Sequence, residues 1–526
     1  MAYDSVVYAN TKRAAARGVP FRLLAMILCA IWFAEQGFNY AVVQNAIQSS
    51  HPAEARTALE TRLKMAPGDG YAHLLMGIVL SELKEPVKAE WQFREAGRLR
   101  PRDPAPHTNL GNLFASRGQF LEAIKQFQAA LALNPRDATS LSNLGSVQMS
   151  LKQYRFARNS FEAAARIAPD DARTLFGLFQ AQLKLALVKE SEETANRLLN
   201  EPAIDEQTIQ IVGALQGESG DYASAVRSFE KGARLFPDSA GMHFNLGLAL
   251  EKSGDAARAS EVLVALRTKQ DSAELEDVLG EVSEQNGAFL EAVRSYQKAA
   301  EMEPKNEGYR FDYTCELLAH LNFEAARQVA ERAVHDFPES VRMSVALGLA
   351  LFGLERVAEA QQLFVRTAQR FPDAELPLVY ISLCAEASDV EAPEGEALLA
   401  AFYRKHPNGF MAPYLLGRAA LNRHDAARAT NLLEASVKLK SDYAPAHFEL
   451  GRALVELGRA NQAVDQYRAA LKLEPKKAET WYRLTLAYRK LGELKLAEEA
   501  EAEFRKLGET DGKAEIVQTF LYSAGK

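Results

Sequence analysis

Cysteine is scarce in this chain of 526 residues: Cys29, Cys315 and Cys384 are the only three. None pair in C-x-x-C spacing, which excludes a zinc ribbon and a thioredoxin-type dithiol. They read as small buried thiols. With 31 glycines and 20 prolines, the chain has too few of either for a collagen-like or low-complexity protein. Catalytic signatures are missing as well. There is no G-x-S-x-G, no H-E-x-x-H, no G-x-x-x-x-G-K-[ST] and no dinucleotide fingerprint after a strand. The nine histidines form no close metal-ligand pair. Net charge is −7, which argues against general nucleic-acid binding. What remains is ordinary globular composition, 48% hydrophobic and 25% charged.

The N-terminus departs from this. Lys12, Arg13, Arg17 and Arg22 precede an apolar run, Leu23 to Ala34. At 1.5 Å per residue the run spans about 18 Å, short of a ~30 Å hydrocarbon core. Its length suits the apolar region of an export signal, although Trp32 occupies a place where cleavage prefers a small residue. Three readings stand for residues 1–36: a cleaved signal, an uncleaved anchor, and a hydrophobic helix that caps the residues after it. The first two put the protein outside the cytoplasm, with membrane contact only through this segment. No other stretch approaches 18 consecutive apolar residues.

At roughly 150 residues per domain, the length suggests three or four domains. An internal period replaces that estimate. Prolines fall at 67, 101, 135 and 169, then at 237, 304, 338, 372, 407 and 475. Alanines recur twelve residues before most of them, including Ala55, Ala89, Ala123, Ala157, Ala292, Ala326, Ala360 and Ala463. A third series pairs an apolar residue with glycine, as in Leu110-Gly111, Leu144-Gly145, Leu246-Gly247, Leu347-Gly348 and Leu450-Gly451. All three keep a 34-residue register.

Each unit reads as two amphipathic helices. In 104–137, Leu110, Phe114, Ile124, Phe127 and Leu131 recur at three- or four-residue steps. Gly118 falls between the helices, where a left-handed residue is expected, and Gly220, Gly254, Gly287, Gly458 and Gly492 share its place. Pro135 stops the second helix, and Asp137 is expected to cap the next with its side chain. Gly111 and Ala123 let the two helices approach, and Phe127 fills the space beside them. A single pair cannot bury both faces, so the pairs must stack.

With these residues in register, the chain resembles the tetratricopeptide-repeat family. The match is close over 70–103, 104–137 and 444–477, with His73, His107 and His447 where the family favours tryptophan; the last unit keeps Trp481 and Tyr488. The resemblance covers 37–511 as about fourteen units, of which 172–205 and 376–409 are degenerate. Residues 512–526 read as a closing helix and tail. The implied fold class is all-α: a right-handed superhelical solenoid of stacked antiparallel helix pairs.

The family's first helices line a concave groove that binds protein or peptide segments, in some members through a clamp on a C-terminal carboxylate. Carried over by register, the clamp finds Asn112, Asn143 and Arg173, while Thr108 and Gly177 stand where two further basic groups would be. A second candidate is electrostatic. Residues 410–511 hold 17 lysines and arginines against 15 acidic residues, while 37–409 hold 39 against 51. Arg418, Arg452 and Arg483 lie at groove positions on three successive first helices, a cation stripe suited to an acidic partner. The leading expectation is a non-catalytic interaction scaffold without cofactor, metal or nucleic acid. The alternative is a cell-envelope assembly or export factor tethered or secreted through its N-terminus. A more remote one is the accessory array of a glycosyltransferase-type enzyme, which would need a catalytic domain that the residues after 511 are too few to form.

Overall fold

The computed structural model describes residues 38–507 apart from 50, 203 and 388–392. The N-terminal signal or anchor, Cys29 and the closing helix expected after 511 lie outside the described residues. Among these there are 28 helices and no strand. The helices run in pairs, from Tyr40–Gln48 with Pro52–Met65 to Ala478–Leu491 with Leu494–Leu507. None exceeds 14 residues, and none is long and apolar enough to cross a membrane. The described residues divide after Gly232 into two compact bodies. Within each body, successive helices pack on their chain neighbours.

The contact inside each pair explains its spacing. Gly111 lies on the first helix, Ala105–Ser116, and faces Phe127 on the second, Phe120–Leu133. A Cβ on Gly111 would come within 2.5 Å of the Phe127 ring. Gly77 meets Phe93, Gly213 meets Phe229, Gly280 meets Tyr296, Gly348 meets Phe364 and Gly451 meets Tyr467 in the same way. The ring thus occupies the volume of the missing side chain, and both partners are buried. Other repeats lack the glycine: the same two register positions hold Phe179 and Ala195, and Thr314 and Ala330.

The expected left-handed turns are present at all six glycines, with φ between 70° and 86°. Six further turns adopt the same conformation without glycine: Lys84, Lys152, Ala186, Leu321, Glu355 and His424. The reason is hydrogen bonding. Gln119 N donates to Phe114 O at 2.9 Å and Gly118 N to Ala115 O at 3.0 Å, closing the last turn. Glu85 N to Leu80 O and Gln153 N to Gln148 O repeat the first bond. The turn demands a left-handed residue whatever the side chain.

The second helix stops because the residue before proline is driven out of helical geometry. Asn134, before Pro135, has φ −135° and ψ 90°. Gln270 and Lys440 are equally extended with no proline after them, so the break does not depend on proline alone. The degenerate units still fold as pairs, Ala172–Lys184 with Val188–Leu199 and Leu376–Ala387 with Pro393–Lys405. One expectation needs correction. Asp137 sits at the N-cap, but its carboxylate accepts from the Ser140 hydroxyl at 2.5 Å and caps no backbone N–H. Asp171 does cap its helix, accepting from Thr174 N at 3.1 Å, whereas beside Asp238 the cap is Ser239. Cys315 and Cys384 are buried thiols outside any disulfide, and burial pushes Cys384 up to about 12.

Substitutions at these contacts have defined outcomes. Replacing Lys84, Lys152 or Glu355 by glycine should stabilise the protein by about 1 kcal/mol each, relieving the left-handed backbone, as read from urea unfolding midpoints. Gly111→Ala should cost ~1–3 kcal/mol through collision with Phe127, and Phe127→Leu in the same chain should recover part of that loss.

Candidate functional site

The first candidate lies in the N-terminal body, on the helices Ala105–Ser116, Ala138–Ser150 and Ala172–Lys184. Its floor is a polar ladder between successive first helices. The Thr108 and Ser140 hydroxyls share a hydrogen bond of 2.8 Å, and Thr174 Oγ1 donates to Ser142 Oγ at 3.0 Å. All four are buried. Above it, Asn143 Nδ2 donates to Asn112 Oδ1 at 2.7 Å. Asn112 is exposed and Asn143 half-buried, so the pair keeps donors and an acceptor for a ligand. Arg173, the third clamp residue, is exposed one position into its helix. The two departures from the basic pattern have physical causes. Thr108 belongs to the buried ladder, and a Cβ on Gly177 would lie 2.4 Å from the Phe161 ring.

The second candidate lies in the C-terminal body, on Met411–Asn422, Ala444–Glu456 and Ala478–Leu491. It is not a bare stripe of cations. Buried Glu449 sits between two of them, with Arg452 Nη1 at 2.8 Å and Arg418 Nε at 3.5 Å. Arg418 also lies over the Tyr414 ring, 5.5 Å from its centre. Arg483 Nη2 is 3.6 Å from Glu479. Three guanidinium groups therefore face two carboxylates, and the local excess charge is smaller than the arginine spacing suggests. Burial holds the Glu449 carboxyl above its ordinary range, opposed by Arg452 and Arg418.

Other features were not anticipated. His73 Nδ1 is 2.5 Å from the Gln92 carboxamide, and Nε2 is 3.0 Å from the Pro67 carbonyl. His447 repeats this with Gln466 and the Ser441 carbonyl, and His107 with Gln126. Trp481 Nε1 donates to the Pro475 carbonyl at 2.9 Å, so His73 and His447 replace tryptophan while keeping its bond to the preceding turn. Beside His73, a cavity of about 610 Å³ is lined by Leu63, Met76, Leu80 and the exposed Trp91. A 19-residue His–Gln spacing was the available signal for the first feature. The cavity had none, because its walls come from three helices.

Geometry and register define a protein of stacked antiparallel helix-pair repeats. Residues 111–152 and 451–492 match the family described as TPR repeat, and 138–171, 215–274 and 315–375 match families described as tetratricopeptide repeat. The chain carries a tetratricopeptide-repeat array. No curated protein matches it. Among solved structures it is similar to PilF of Pseudomonas aeruginosa, at 18% identity over 40% of this chain and 96% of that one, TM-score 0.35. Yeast Tom70 matches at 16% identity over 86% and 95%, TM-score 0.32. MamA of Desulfovibrio magneticus matches at 23% identity over 32% and 97%, TM-score 0.30. With these TM-scores below 0.5, the likenesses carry no function to this chain.

Burial raises the Glu449 carboxyl, so its folded form binds a proton more tightly than the unfolded one. Its contribution is full below the unfolded value of about 4.3 and is lost as pH rises through the folded value. Relative to Glu449→Gln, the wild type should therefore lose stability as pH rises above the unfolded value in urea unfolding. The opposite trend would mean that the two arginines outweigh burial.

Proposed function

We propose that the protein is a non-catalytic scaffold that binds extended protein segments along its first helices, and that Asn112, Asn143 and Arg173 take a peptide's C-terminal carboxylate. The observation that carries this is the 2.7 Å contact between the two asparagine side chains from successive repeats. It pre-orients two carboxamides at an exposed place with a guanidinium on the next repeat. The surface near Arg418, Arg452 and Arg483 is a weaker acidic-partner site, since Glu449 takes up part of its charge.

A second reading rests on the sequence alone. Basic residues 12–22 followed by Leu23–Ala34 favour a cell-envelope assembly or export factor working outside the cytoplasm. It is compatible with the first, since an exported scaffold would still bind through its groove.

A pool of pentapeptides of random sequence, prepared with free and with amidated C-termini, tests the clamp on the full chain. The free-acid pool should yield bound peptides, and amidation or Asn143→Ala should weaken the best of them at least tenfold. Equal binding of both forms overturns the clamp. For the C-terminal surface, arginine-to-glutamine variants are the right probe, because charge reversal would set a second negative charge against buried Glu449 and unfold the repeat.

A further inference from the structure

Three side chains of the C-terminal body converge outside both candidate surfaces. Glu284 lies in the last turn of the helix Ala273–Gln285. Glu316 lies in the last turn of Glu307–Ala319, and His320 is that helix's C-cap. Glu316 and His320 are four residues apart and share a helix face. Stacking of successive repeats brings Glu284 to them. His320 Nε2 is 3.0 Å from Glu284 Oε2 and 3.5 Å from Glu316 Oε1, and the three atoms lie within 4.8 Å of one another.

We propose that Glu284, Glu316 and His320 bind a divalent transition-metal ion, with Zn²⁺ the best fit to one imidazole and two carboxylates. A tetrahedral zinc with bonds of about 2.0–2.1 Å holds its ligand atoms about 3.3 Å apart, and the two distances to Nε2 bracket that spacing. A proton serves this geometry less well. One N–H at Nε2 cannot point at both carboxylates, whereas a metal ion accepts all three donors at once.

The surroundings hold the ligands in place. Glu316 is only 5% exposed, so its carboxylate needs a close positive charge. The Phe289 ring packs on the imidazole at 4.3 Å, and left-handed Leu321 ends the helix directly after His320. Carboxylates outside the ligand set stand in the same region: Glu281, Asp277 and Asp312 all act on the buried Tyr296 phenol and, with its burial, hold it far above its ordinary range. That field favours a cation. Glu284 and His320 are partly exposed, which leaves an entry path and room for water ligands. A bound ion would join the first helices of two successive repeats. Sequence spacing hides the site because it needs only one histidine, and Glu284 belongs to another repeat.

The test uses the full chain stripped with EDTA, then dialysed against ZnCl₂ and measured for metal content and thermal unfolding. The expected result is one Zn²⁺ per chain and a higher unfolding midpoint. His320→Ala and Glu284→Gln, both at partly exposed positions, should each weaken binding at least tenfold and abolish the shift. His406→Ala should change neither. Retention of no zinc by the wild type, or of equal zinc by His320→Ala, overturns the proposal.

Discussion

The distance between the two helices of a repeat is set where a glycine backbone lies against a ring. Gly111 on Phe127 and Gly451 on Tyr467 leave no volume for even a methyl group. This contact fixes the pair and thereby constrains its turn. The chain must reverse within a few residues, so it closes with the same two hydrogen bonds and the same left-handed residue. Other repeats depart from this pattern at the same register positions. Phe179 with Ala195 inverts large and small, while Thr314 with Ala330 carries no large group on either side. The bulky group can therefore stand on either helix.

Stacking adds a second constraint, since polar groups buried between repeats need partners. The chain meets it with short repeating pairs between repeats, Thr108 with Ser140 and Ser142 with Thr174; inside a repeat the His–Gln pairs of His73, His107 and His447 join its two helices. Ser160 and Ser228 likewise donate to Gln148 and Gln216. These interactions are satisfied inside the array, so the positions free to vary are the exposed ones. Asn112 and Arg173 are of that kind.

Equivalent helix positions carry opposite chemistry in different repeats of the C-terminal body. The helix Ala273–Gln285 has five acidic residues and no basic one, and its neighbour adds Asp312 and Glu316. Further along, Arg418 and Arg452 surround Glu449. One backbone plan thus presents an acidic surface and a mixed arginine surface without any change of fold. Counting charges by sequence segment averages over this difference.

The repeat period, the helix pairs, the glycine–ring contacts and the six glycine turns were legible in the sequence, because each depends on residues within one 34-residue unit. Even the degenerate units obeyed the period, although Gly177 and Ala195 broke its pattern. The remaining turns were hidden because their residues, such as Lys84 and Leu321, carry no local signal; the hydrogen bonds around them dictate the conformation. Candidate residues were legible as positions only. That Asn143 meets Asn112, that Arg418 reaches Glu449, and that Glu284 reaches His320 are all contacts between repeats. They depend on how one helix pair rests on the next. The sequence by itself determined the unit and its register, through local volume and periodicity. The tertiary structure alone decided which side chains of successive units stand within bonding distance, because stacking joins residues that no spacing along the chain relates.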